Sequence, residues 1–350
     1  MTPHFHDRYK FAPQMRHYDC LGVRPVPFLG FFHDPKYRSP SVNTDDKGFR
    51  FPGDKSRGGS APDCYIFGGS AAFGVGSSSD DNTLSSQISY ESGFECGNAG
   101  GRAFTSTQEL LMGLYLVDLS CVKRIYLFSG VNDLVIYYMS KYWSPFGCQF
   151  FWQRTRSSFG SNGFMRNLVC RMLGVIFKES FNFNSISIRD YLLSRSGRLP
   201  VEEIRGLHLN SGIGKDQLDN DNFPEILETI RKNMEIWRII SKNYKFEIVY
   251  CLQPYLPWTL KERCKEEVEL ENISRNLTGQ VSWKTAQEKI DNNKIYMWYR
   301  SGIENICKKL EVKFVDMNPV IGDSLDWCFL DKVHLTDLGN SLCAKKLASI

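Results

Sequence analysis

The chain contains no stretch of about 18 uninterrupted apolar residues, the length a membrane-spanning helix requires. Its first residues, MTPHFHDRYKF, lack the apolar core of a signal peptide. Those two absences make a cytoplasmic protein the expectation. Net charge is also scarce. A formal +4 over 350 residues, with no dense basic stripe along the whole chain, argues against a dedicated nucleic-acid binder. No C-x-x-C pair occurs among the 11 cysteines, which are scattered and odd in number. Neither a disulfide framework nor a zinc site is expected. Cys64 precedes the apolar Tyr65-Ile66-Phe67 and Cys251 follows Ile248-Val249-Tyr250, so such thiols read as buried and free. There is no G-x-x-x-x-G-K-[ST] loop, and Gly74-Val75-Gly76-Ser77 lacks the lysine of a phosphate loop. His4 and His6 form an H-x-H pair without a carboxylate or cysteine motif beside it, so no metal is expected. Internal repeats are absent as well.

What the sequence does contain is a globular balance, 42% hydrophobic and 23% charged, enough for a sizeable core. Residues 1–60 are rich in proline, glycine, aspartate and aromatics with little periodicity, and read as an irregular lead-in packed on the core. From residue 61 onward the pattern changes. Short apolar runs at Cys64–Phe67, Phe94–Cys96, Arg124–Phe128, Phe246–Cys251 and Val312–Val315 read as strands. Helical spacing appears at Thr83–Ser92, Thr107–Leu119, Pro224–Tyr244, Asn293–Leu310 and Leu338–Ala348. Strands alternating with helices predict a five-stranded parallel sheet covered on both faces, a three-layer α/β/α sandwich.

Residues 140–222 break that rhythm and read as a lid-like insertion. Between Lys141 and Lys178 the chain carries Lys141, Arg154, Arg156, Arg166, Arg171 and Lys178 and no acidic residue. Trp143, Phe146, Phe150, Phe151 and Trp152 interleave with them. Two readings stand side by side. One is a lid with a solvated basic face. The other is a surface for an anionic partner, such as an acidic polysaccharide, an acyl-carrier protein or a membrane surface.

Ligands of an open parallel sheet bind outside the carboxyl ends of its strands. Polar clusters fall at those ends: Gly68-Gly69-Ser70, Gly97-Asn98-Ala99-Gly100-Gly101-Arg102-Ala103, Gly130-Val131-Asn132-Asp133, and Asp331-Lys332-Val333-His334 before the last helix. A serine hydroxyl becomes a useful nucleophile when a base removes its proton. A histidine suits neutral pH, and a carboxylate on its other nitrogen fixes the tautomer. Asp331 and His334, three residues apart, can meet within one turn. Backbone N–H groups near Ser70 and in the second cluster, with the Asn132 amide, are candidate oxyanion donors.

Taken together these residues resemble the four blocks of the SGNH/GDSL hydrolase superfamily. F-G-G-S-A-A-F-G (67–74) is similar to the nucleophile block and G-N-A-G-G-R-A-F-T-S (97–106) to the second. G-V-N-D (130–133) is similar to the third, and D-K-V-H-L-T (331–336) to the last. They occur in the family's order. The resemblance implies a flavodoxin-like sheet, hydrolysis or transfer of acyl groups, and no cofactor. It implies Ser70 as nucleophile, His334 as base, Asp331 as its acid and Asn132 as a side-chain oxyanion donor. Two positions depart from the pattern. Gly69 stands where the short signature has Asp. With Asn98 and Thr105-Ser106 kept in register, the family's oxyanion glycine falls at Ala103, with Gly100 or Gly101 as alternatives. Ala72 breaks a G-x-S-x-G elbow, which argues against the α/β-hydrolase fold. Arg102 is a candidate contact for an anionic substrate group.

The leading expectation is a hydrolase for short-chain, above all acetyl, esters, with a carbohydrate as one candidate alcohol. An O-acyltransferase or thioesterase with the same site is the near alternative. A non-catalytic glycan-binding module is the alternative of a different class.

Overall fold

The computed structural model describes residues 3–53, 61–139, 224–275 and 281–350. In chain order its elements begin with α1 (Pro3–Phe11), α2 (Met15–Cys20), β1 (Val23–Val26), β2 (Gly30–His33), β3 (Cys64–Gly68), α3 (Ser70–Phe73) and α4 (Leu84–Ser92). There follow β4 (Cys96–Gly100), α5 (Ser106–Tyr115), β5 (Arg124–Ser129), α6 (Val131–Met139), α7 (Pro224–Tyr244) and β6 (Glu247–Leu252). The chain closes with α8 (Lys265–Arg275), α9 (Val281–Ile290), α10 (Asn293–Lys309), β7 (Lys313–Asp316), α11 (Asn318–Gly322) and α12 (Asp337–Ala348).

The five strands from β3 onward pair in parallel in the order β4-β3-β5-β6-β7. Strand periodicity sends alternate side chains to opposite faces, and the core divides accordingly. Phe67, Ile125, Leu127, Ile248, Tyr250 and Leu252 pack with residues of α5, α6, α7 and α10. Cys64, Ile66, Tyr126, Phe128, Val249 and Cys251 pack instead with residues of α3, α4 and α12. The result is the three-layer α/β/α sandwich predicted from the sequence, with helices on both faces of a buried parallel sheet. Because β3 lies between β4 and β5, the chain leaves β3 to one side and then to the other. The end of β3 is therefore the topological switch point, where open sheets place their ligands.

Two details differ from the sequence reading. β4 covers Cys96–Gly100 rather than 94–96, although Gly-Asn-Ala-Gly has poor strand propensity. Tertiary context overrides propensity there. Tyr65 lies opposite Gly97, and a Cβ at Gly97 would come within 2.3 Å of the Tyr65 ring. The helix expected over Thr107–Leu119 starts at Ser106 behind a Thr105/Gln108 capping box and ends at Tyr115.

Residues ahead of β3 form α1, α2 and a β1–β2 antiparallel hairpin. Met15, Tyr18, Leu21 and Val42 pack with Phe73 of α3, with Val75 just after it, and with Leu330 of the last loop. The insertion expected at 140–222, with the basic aromatic span 141–178, lies outside the described residues. Among the described residues no helix is long and apolar enough to cross a membrane.

Candidate active site

Ser70 is the first residue of α3, and Gly69 is its N-cap. The entry into this helix is crowded. A Cβ at Gly68 would lie 2.1 Å from the Phe128 carbonyl oxygen, and one at Gly69 would lie 2.3 Å from Asn132 Nδ2. Only a glycine pair lets the backbone pass between β5 and α6 at this point. The turn presents Ser70 at the carboxyl edge of the sheet. The first N–H groups of a helix have no intrahelical acceptor, so the Ser70 amide is a donor beside its own hydroxyl.

The imidazole arrives from the far end of the chain. The loop before α12 closes on itself: Leu330 N–H donates to the His334 carbonyl at 2.8 Å, and Phe329 and Leu335 form a bridge. Within it Asp331 Oδ1 accepts the N–H groups of Val333 and His334, both at 2.8 Å. That leaves Asp331 Oδ2 against His334 Nδ1 at 2.6 Å. The opposite ring nitrogen, Nε2, is 2.8 Å from Ser70 Oγ. Asp331 thus requires the Nδ1–H tautomer, and Nε2 is left as an acceptor for the serine proton. Burial acts to raise the Asp331 pKa. The charge and hydrogen bond of His334 and the two backbone donors outweigh it, and the carboxyl falls to about 2. It is therefore ionised throughout the neutral range. The His334 side chain keeps 21% of its exposure, so the serine–imidazole pair is open to a ligand.

No family model and no curated protein matches the chain. Solved structures do resemble it. An acetyl xylan esterase is 11% identical, with a TM-score of 0.37 over 82% of this chain and 98% of that one. Phospholipase A1 from Streptomyces albidoflavus NA297 is 12% identical, with a TM-score of 0.39 over 83% and 99%. A protein from Desulfitobacterium hafniense DCB-2, ascribed to the lipolytic G-D-S-L family, is 11% identical, with a TM-score of 0.41 over 82% and 98%.

The candidate oxyanion donors converge on the same edge. Asn132 stands in the first turn of α6, its Nδ2 against Gly69 and donating to the Phe104 carbonyl at 2.9 Å. An amide nitrogen carries a second hydrogen. In the 100–104 loop, Gly100 N–H donates to Asn98 Oδ1 at 3.0 Å and Gly101 N–H to the Gly68 carbonyl at 3.0 Å. Those two amides are committed to holding the loop. Ala103, between the fixed points at Gly101 and Phe104, adopts φ 59°. That left-handed backbone is one that glycine takes without strain.

Arg102 points away from Ser70. Its guanidinium donates to the carbonyls of Tyr18, Leu21 and Gly22 at 3.0, 2.6 and 3.1 Å, closing the end of α2 onto the loop. Asp133, beside Asn132, accepts Ser106 N–H at 3.1 Å and Ser106 Oγ–H at 2.8 Å. It joins the start of α5 to the start of α6.

Two supports have no sequence signature. His33 touches the 100–104 loop from the hairpin. Glu267, in the charged run KEEVELENISR of α8, is fully buried. Its Oε1 accepts the N–H groups of Cys328 and Phe329, both at 3.0 Å, just ahead of Asp331. Its Oε2 meets Lys261 Nζ at 2.8 Å. Asn98 sits in the second block and ties β4 to α3 through the Ala72 carbonyl at 2.9 Å. Its block position is the signal that marks it out.

Proposed function

We propose that this chain is a serine-dependent ester hydrolase of the SGNH/GDSL type, acting through an acyl-enzyme on Ser70. The observation that carries the reading is the continuous relay from Asp331 through His334 to Ser70, with contacts of 2.6 and 2.8 Å. Ser70 Oγ attacks the ester carbonyl while His334 Nε2 takes its proton. In this reading the oxygen that gains the electron pair is received by the Ser70 and Ala103 amides and the Asn132 side chain. Collapse of the tetrahedral intermediate expels the alcohol, which leaves with the proton held on His334. Water, deprotonated by the same imidazole, then releases the acid and restores Ser70. Asp331 remains ionised and steadies the imidazolium in both halves.

Short acyl groups, acetyl first among them, are the proposed substrates, with a sugar hydroxyl as the proposed alcohol. The test is hydrolysis of a short-chain aryl ester by the wild type and by Ser70→Ala. The variant is expected to lose at least about 10³-fold in kcat, in line with removal of a triad nucleophile. Equal rates in the two proteins would refute the assignment.

A further inference from the structure

The 100–104 loop is held from a part of the chain that lies ahead of the sheet. His33, the last residue of β2, is 1% exposed, and both of its ring nitrogens are used. The Arg102 backbone N–H donates to His33 Nε2 at 3.3 Å, and His33 Nδ1 lies 3.3 Å from the Gly48 carbonyl. An N–H pointing at Nε2 requires a lone pair there, so the proton sits on Nδ1 and points to Gly48. Burial first, then the nearby charges of Arg102 and Arg50, push the His33 pKa well below its ordinary value. Burial thus favours the neutral ring that supplies this acceptor. The ring also lies 3.9 Å from that of Phe73, at the end of the helix that begins with Ser70.

We propose that His33 is a positioning residue for the oxyanion donors, fixing the Arg102–Ala103 backbone through Nε2. The inference rests on the esterase reading given above. Besides the Arg102 guanidinium on the lead-in carbonyls and the Phe104 N–H bond to the Gly101 carbonyl that closes the turn, the loop is tied at three successive points to three different elements. Gly101 is bound to the end of β3, Arg102 to His33, and Phe104 to Asn132 of α6. Ala103 lies between the second and third of these in a left-handed conformation that alanine disfavours. Without the His33 contact the Arg102–Ala103 peptide is held less firmly, though the Arg102 side chain and the Phe104–Gly101 bond remain, and the strained Ala103 backbone can turn its amide away from the oxyanion. Such a change weakens transition-state binding and leaves ground-state binding almost untouched, so it appears in kcat rather than KM.

Two polar substitutions separate this role from simple support of the hairpin. His33→Gln places a side-chain oxygen near the former Nε2 and can accept from Arg102. His33→Asn is shorter, keeps a donor for Gly48 and cannot reach Arg102. kcat and KM on a short-chain aryl ester are measured for each, together with hydrogen exchange of the 97–106 backbone followed by mass spectrometry. The expected result is a ten- to hundredfold drop in kcat for His33→Asn, with KM within threefold and exchange at 101–104 at least tenfold faster. His33→Gln is expected to recover most of both. Equal losses in the two variants, or unchanged exchange in His33→Asn, would overturn the proposal. A wild type that cleaves no ester would refute the esterase reading alone, since the exchange comparison still decides whether His33 holds the loop.

Discussion

Ala103 carries φ 59° at the position where the resemblance to the SGNH/GDSL family sets a glycine. An L-residue in that conformation costs about 1–2 kcal/mol, whereas glycine there loses roughly 0.5–1 kcal/mol more backbone entropy on folding. Ala103→Gly is therefore expected to stabilise the fold by a few tenths to about 1 kcal/mol and to leave kcat nearly unchanged, because the group proposed as donor is the backbone N–H. The denaturant midpoint and the ester-hydrolysis rate check this, and clear destabilisation would show that the strain is not released. At this scale the sequence was readable where chemistry restricts residue type. Ser70, Asn132, Asp331 and His334 were singled out from their blocks, and the structure brings all four to one edge of the sheet. His33 and Glu267 were not legible. A buried histidine and a buried glutamate acquire their roles only from partners distant in sequence. Arg102, a candidate contact for an anion by its place in the second block, instead sets its guanidinium on three carbonyls of the lead-in.

Between elements, the joint of α5 with α6 is made by a buried carboxyl. Burial raises the Asp133 pKa from an ordinary 3.8 to about 6, with the Ser106 hydrogen bonds pulling the other way. The folded state thus holds this proton more tightly than the unfolded chain. The associated stability is complete below about pH 4 and is lost as pH rises through about 6. Asp133→Asn keeps an acceptor for Ser106 and does not titrate. The stability of the wild type relative to this variant is expected to fall by on the order of 1–3 kcal/mol between about pH 4 and pH 7. Urea melts at both pH values provide the check, and parallel pH dependences would contradict it. Element reading from the sequence followed the same physics. Apolar runs mark β3, β5 and β6, because a buried parallel strand is apolar on both faces, whereas the edge strand β7, bounded by two charged residues, buries Val315. The glycines of β4 carry no hydrophobic signal, which is why the sequence reading sets it two residues early; the room at Gly97 is filled by Tyr65 and that at Gly100 by the Phe73 backbone.

For the whole molecule, the lead-in and the sheet form one packed body in the described residues. Arg50, fully buried, meets Asp80 at 2.6 Å, donates to Tyr18 Oη at 3.0 Å and to the Ser41 carbonyl at 2.5 Å, and lies over Phe73 of the nucleophile helix. Removing one member of such a pair strands the other charge, which costs about 3–5 kcal/mol. Arg50→Ala is expected to lose stability of that size in chemical denaturation, and a loss below about 1 kcal/mol would show the lead-in to be loosely attached. Such long-range closure is invisible to periodicity, which reports only local order. The order of strands and blocks was sufficient to foresee that residues 264 positions apart would share a rim. The most direct test of that meeting is the rate at which a serine-reactive phosphonate modifies the protein, read by peptide mass spectrometry in the wild type and in His334→Ala. The account predicts a single adduct on Ser70, forming at least about 10³-fold more slowly in the variant. An adduct elsewhere, or the same rate without the imidazole, would contradict it.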